Sequence, residues 1–149
     1  MQNSQAPLIL VADDEADIRA LLRILLEKDG YRVLEAADGI QALQTLRDHP
    51  DVSLILLDIM MPNLDGFETA RALRKTTDAP VLFLTARSSD ADKSAAYLSG
   101  GDDYIVKPFH SIDLRLKVGA MLRRYELYRA RGEETAEETD GIIRFTGDV

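Results

Sequence analysis

Three short runs of this chain are apolar at every position: Leu8-Ile9-Leu10-Val11-Ala12, Leu54-Ile55-Leu56-Leu57 and Val81-Leu82-Phe83-Leu84. A strand with one face in water alternates apolar and polar side chains, whereas a strand covered on both faces does not. Uninterrupted apolar strands are therefore expected in a parallel sheet packed between helices. The segments between the runs carry the helical period instead. After Asp13-Asp14-Glu15, the residues Ile18, Leu21, Leu22, Leu25 and Leu26 recur at helix-face spacing, and Gly30 ends the segment. Strands that alternate with helices across short connections point to a parallel α/β sheet.

The chain reads as a series of such units. Strand β1 is Leu8–Ala12, and helix α1 follows it to Gly30. Strand β2 is Arg32–Ala36, and helix α2 spans residues 39–49 with Ile40, Leu43 and Leu46 inward. Strand β3 ends at Asp58, and a loop with Pro62 and Asp65-Gly66 leads into helix α3, to about residue 76. Strand β4 ends at Thr85, and helix α4 is expected over residues 91–99. Strand β5 is Asp103–Val106, followed by Lys107-Pro108, and helix α5 is expected from Ser111 to about residue 131. Arg32, Glu35 and Asp103 suit β2 and β5 to the sheet edges. The predicted order is 2-1-3-4-5, a doubly wound, five-stranded parallel sheet of flavodoxin-like type.

The tail changes character. Gly132 is expected to stop α5, and Glu133-Glu134-Thr135-Ala136-Glu137-Glu138 has the composition of a linker. Ile142-Ile143-Arg144-Phe145 is strand-like but has no partner in the chain. We therefore divide the chain into a domain over residues 1–131 and a linker with the start of a further domain over 132–149.

Composition excludes more than it identifies. A chain of 149 residues can bury one real core. It has no cysteine, which excludes disulfides and thiolate metal sites. No apolar run approaches membrane-spanning length, and the polar start Met1-Gln2-Asn3-Ser4-Gln5 does not resemble a signal peptide. A cytoplasmic protein without a membrane partner is expected. The net charge of −8 repels phosphate backbones, so direct nucleic-acid binding by this chain is not expected.

Open α/β sheets bind ligands beyond the carboxyl ends of their strands. That edge is expected to hold Asp13 and Asp14 after β1, Asp58 after β3, Thr85 after β4 and Lys107 after β5. Close carboxylates raise one another's pKa unless a cation is present. An all-oxygen set suits Mg²⁺, and one carboxylate can then attack phosphorus while Lys107 and Thr85 take phosphoryl oxygens. Each residue alone has a plainer reading. An Asp after a strand is usually a helix cap, which is a natural place for Asp13. A Thr there is usually a turn residue, and a Lys before Pro a solvated charge. Matching residues at successive strand ends favour a shared site. His49 and His110 each lack a second ligand nearby in sequence and read as structural.

The segments Leu10–Glu15, Leu54–Gly66, Leu84–Ala86 and Gly101–Phe109 resemble the receiver domains of bacterial two-component response regulators. The resemblance implies that Asp58 accepts a phosphoryl group from a sensor histidine kinase, so that the chain is a signalling switch, with slow autodephosphorylation, rather than an enzyme. It implies Mg²⁺ held by Asp14 directly, by Asp13 through water, by Asp58 and by the backbone carbonyl of Met60. Thr85 and Lys107 match the phosphate-contacting pair, Tyr104 the aromatic switch, and Lys107-Pro108 a bond that is typically cis. Met60 and Arg87 match positions that tune phosphate lifetime.

The last segments look like the OmpR/PhoB branch, whose members carry a winged-helix DNA-binding domain and dimerise through the α4-β5-α5 face. Lys93, Asp102, Asp103, Asp113, Lys117 and Arg124 are charges suited to that face, with Lys93–Asp113 and Asp103–Arg124 as intersubunit pairs. Gly101 departs from the Ala usual in the branch. Residues 141–149 resemble the opening strand of the effector domain, which the chain does not reach. Two rivals fit less well. A haloacid-dehalogenase-type phosphatase wants a second acid where Met60 stands. A flavodoxin-like binding module wants a phosphate-cradling loop where Asp13-Asp14-Glu15 stands.

Overall fold

The computed structural model describes residues 6–86 and 103–141, with side chains described as far as residue 127. The strands are β1 Leu8–Ala12, β2 Arg32–Ala36, β3 Leu54–Asp58, β4 Val81–Thr85 and β5 Asp103–Val106. They pair in parallel in the order β2-β1-β3-β4-β5, as predicted. Every residue of β1, β3 and β4 is buried, while β2 and β5 at the edges are only partly so.

Successive residues of a strand point to opposite faces. Leu10, Ala12, Ile55, Leu57 and Phe83 join Ala42, Leu46, Ala70 and Leu73 from α2 and α3 in one core layer. Ile9, Val11, Leu56, Leu82 and Leu84 join Leu22 and Leu26 of α1 and Leu114 and Val118 of α5 in the other.

The described helices are α1 Ala16–Lys28, α2 Gly39–Asp48, α3 Gly66–Leu73 and α5 Ser111–Gly141. The predicted α4 lies outside the described residues. Two predicted inward positions point outward: Leu21 is 44% exposed and Ile40 is 48% exposed. The buried stripe of α1 centres on Leu22 and Leu26, and that of α2 on Gly39, Ala42 and Leu46. At about 100° per residue, Leu21 and Ile40 fall roughly a third of a turn away from those stripes.

Helix α1 ends as expected, with Gly30 in the left-handed region at φ 91°. Helix α3 ends at Leu73, earlier than predicted, and the amides of Lys75 and Thr76 bond back three residues to Ala72 and Leu73 in a tightened last turn. Helix α5 does not stop at Gly132 but continues to Gly141. One interior glycine costs only about 1 kcal/mol against alanine, and the glutamates and alanine after it are good helix formers.

The register sets the site. Ala12 pairs with Leu57, Asp58 with Leu84, and Thr85 with Val106. Asp13 therefore leaves β1 level with Asp58, while Thr85 and Lys107 lie one and two steps further out across the same edge.

Candidate functional site

Asp13 follows directly on β1, where its amide donates to the Ala36 carbonyl of β2 at 3.1 Å and extends the ladder by one bond. Its side chain is fully buried. Oδ1 accepts from the amide of Glu15 at 2.9 Å, and Oδ2 accepts from Lys107 Nζ at 2.8 Å. The expectation that Asp13 caps α1 is corrected: the cap residue is Glu15, without a side-chain cap bond. Asp13 turns inward because Lys107 and the turn amide hold both its oxygens.

Asp58 ends β3 and is 5% exposed. Its Oδ1 meets the amide of Met60 at 3.3 Å and lies 3.6 Å from Lys107 Nζ. The Met60 side chain points outward. Asp14, exposed, completes a cluster: one oxygen from each of Asp13, Asp14 and Asp58 lies within 4.8 Å of the others. Thr85, buried at the end of β4, accepts the amide of Lys107 at its carbonyl at 2.7 Å, which ties the end of β5 to β4. The Lys107-Pro108 peptide is cis, as the resemblance implied.

The electrostatics follow from this crowding. Burial first, and the Asp13 charge second, push the Asp58 carboxyl up to about 7, and Lys107 offsets them only in part. Burial alone would lower the Lys107 pKa. The hydrogen bond to Asp13 and the charges of Asp58, Asp13 and Glu15 outweigh burial and raise it. One ammonium thus stands against three clustered carboxylates, two of them buried. An all-oxygen donor set with excess negative charge fits a hard divalent cation such as Mg²⁺.

Two supporting residues were not singled out from the sequence. Glu15 Oε1 lies 3.7 Å from Lys107 Nζ and adds a fourth acid at the rim. Gly66 opens α3 directly against β3: its amide donates to the Ile59 carbonyl at 2.9 Å, and a Cβ there would collide with the Asp58 carbonyl oxygen. The Asp65-Gly66 pair signalled a turn, but only the fold shows that the turn presses on the Asp58 backbone.

Tyr104 is half-buried on β5, packed against the α2/α3 core layer, and its amide donates to Asp103 Oδ1 at 2.8 Å. Asp103, Tyr104, Asp113, Leu116, Lys117 and Arg124 line one groove of about 670 Å³ between β5 and α5. Within it Lys117 Nζ bonds Asp103 Oδ2 at 3.1 Å. The structure therefore gathers four of the six predicted dimer-face charges. Lys93 and Asp102 lie outside the described residues, as does Arg87.

Known proteins resemble this chain in sequence and in fold. The response regulator receiver domain family matches residues 9–119. The chain belongs to that family. It is 50% identical over 131 residues to the uncharacterized transcriptional regulatory protein YrkP of Bacillus subtilis (strain 168), covering 88% of this chain and 55% of that protein. It is 45% identical over 116 residues to the transcriptional regulatory protein CpxR of Escherichia coli (strain K12), covering 78% of this chain and 49% of that one. The chain thus spans about half the length of these curated relatives. Among solved structures, the receiver domain of Francisella response regulator 1452 superposes with a TM-score of 0.73 at 36% identity, covering 79% of this chain and 98% of that one. Among the described residues, no helix is long and apolar enough to cross a membrane.

Proposed function

We propose that this domain is a phosphorylation switch in which Asp58 takes a phosphoryl group from the phosphohistidine of a sensor kinase. The observation that carries the reading is the burial of Asp58 beside Asp13 and Asp14, with Lys107 within 3.6 Å. A carboxylate oxygen of Asp58 attacks phosphorus, the O–P bond forms, the N–P bond to the kinase histidine breaks, and the imidazole leaves with the electron pair. Asp13, Asp14, Asp58 and the Met60 carbonyl would hold Mg²⁺, which would supply positive charge to offset the carboxylates and the transferring phosphoryl group. Lys107 and the Thr85 hydroxyl each take a phosphoryl oxygen. Hydrolysis of the acyl phosphate resets the switch slowly. The domain takes part in its own phosphoryl transfer without turning over a separate substrate.

The readout runs through Tyr104. Thr85 moves toward the phosphoryl group, Tyr104 follows into the vacated space, and the α4-β5-α5 face is remodelled to dimerise, a local charge event read by a bistable element. The exposed Leu116, flanked by Asp113, Lys117 and Arg124, supports that face as an interface. The sequence match to longer transcriptional regulatory proteins supports a receiver that is one part of a longer regulator. On this reading residues 1–131 are the receiver, residues 132–149 lead to a DNA-binding effector, and the protein works in the cytoplasm.

A small phosphodonor with Mg²⁺ should add one phosphoryl group per chain, detected by intact mass, and none to Asp58→Ala. The modified sample should elute as a dimer. Phosphorylation of Asp58→Ala would sink the assignment, and a monomeric phosphoprotein would sink the dimer.

A further inference from the structure

Arg19 lies on the first turns of α1, away from the carboxylate cluster, and has no part in the chemistry above. Its guanidinium nevertheless reaches the cluster's backbone. Nη1 donates to the carbonyl of Asp13 at 2.7 Å, while Nε donates to Glu35 Oε1 on β2 at 3.0 Å. Glu35 is held from its other oxygen by Arg23 Nε at 2.6 Å, and Arg23 Nη1 also bonds Glu27 at 2.8 Å. The Arg19 bond to the Asp13 carbonyl is part-buried, whereas the bonds to Glu35 lie at the surface.

The position of that carbonyl gives the contact its consequence. The β1–β2 ladder runs out at the Asp13 amide. The next group along the chain is the Asp13 carbonyl, which belongs to the rigid peptide plane joining Asp13 to Asp14. Pinning its oxygen sets the tilt of that plane, and so the direction in which Asp14 leaves the backbone. Asp14 is the exposed member of the cluster, so packing does little to fix it. Asp13, by contrast, is already held by Lys107 and the Glu15 amide.

We infer that Arg19 is a positioning residue for the metal site: by bridging Glu35 to the Asp13 carbonyl, it fixes the peptide that aims Asp14 at the cation. The inference rests on the metal reading given above. It also makes the edge strand β2 part of the site's support, through Glu35, although no β2 side chain joins the cluster.

Arg23 supplies the control, because it shares Glu35 with Arg19 but does not touch Asp13. Mg²⁺ dissociation constants are measured by calorimetric titration for wild type, Arg19→Met and Arg23→Met, with circular dichroism to establish folding. Loss of a supporting hydrogen bond to a metal site commonly weakens affinity by 10- to 100-fold, so Arg19→Met should raise the constant at least about tenfold. Arg23→Met should stay within about twofold, and Arg19→Lys, which can keep one of the two bonds, should fall between. Should Arg19→Met not fold, Arg19→Lys against Arg23→Met carries the same comparison. An unchanged constant in the Arg19 variant, or an equal rise in both variants, would overturn the inference while leaving the metal reading intact. An absence of saturable Mg²⁺ binding by wild type would overturn both.

Discussion

Asp38 and Asp13 occupy matching places, each after a strand and before a helix. Asp38 does what the position invites: its carboxylate accepts the Gln41 amide at 2.8 Å and caps α2. Asp65 does the same for α3, with Glu68 closing a capping box. These carboxylates stand at helix N-termini, where backbone amides and the helix dipole favour negative charge. The acids at the ends of β1 and β3 are placed differently. Asp13 and Asp58 are 0% and 5% exposed, and their neighbours are each other, Asp14 and a single lysine. The same side chain is therefore stabilising in one region and costly in the other. The caps are satisfied by the chain itself, whereas the strand-end cluster gathers three carboxylates around one ammonium, a charge balance that suits a bound cation.

The largest expected effect concerns pH. In the metal-free protein Asp58 has a folded pKa of about 7 against an ordinary 3.8, so the native state binds this proton more tightly than the unfolded state. The stability it contributes is complete below about pH 4 and is lost as pH rises through 7, a change of up to about 4 kcal/mol. Asp58→Asn, neutral throughout, should match wild type near pH 4 and exceed it by up to that amount at pH 8 in urea unfolding without Mg²⁺. Parallel stability curves would break the contrast. A somewhat smaller effect is expected of Lys107→Ala, which leaves buried Asp13 without its cation and should cost about 3 kcal/mol in metal-free protein at pH 8. A loss below about 1 kcal/mol would mean that the Glu15 amide suffices for Asp13. The smallest effect belongs to the caps: Asp65→Ala and Asp38→Ala should each lose about 1 kcal/mol, equally with and without Mg²⁺. A Mg²⁺-dependent loss at either cap would blur the distinction between the two regions.

The sheet was legible because its evidence is local. The unbroken apolar runs of β1, β3 and β4 required cover on both faces, and the charges Arg32, Glu35 and Asp103 marked the edges. The strand-end residues were legible for the same reason, since the α/β rule sends strand ends to one place. Leu21 and Ile40 were misplaced because apolar spacing defines a stripe only to within a residue or so at its margin. Gly132 was read as a stop because a glycine's meaning depends on the helix around it. Arg19 and Gly66 were missed for a different reason. Each acts through a backbone atom, the Asp13 carbonyl or the Asp58 carbonyl, brought near only by the path of a helix. Periodicity and motif spacing describe side chains and are silent about such contacts.

On the proposed reading the fold holds the Asp58 carboxyl short of positive charge, so that a cation and then a phosphoryl group can bind there. The direct measurement is an NMR titration of the Asp58 side-chain carboxyl carbon, with and without Mg²⁺. An apparent pKa near 7 is expected in metal-free protein, with a large downward shift at saturating Mg²⁺. A metal-free value near 4, or a value that Mg²⁺ does not move, would contradict it.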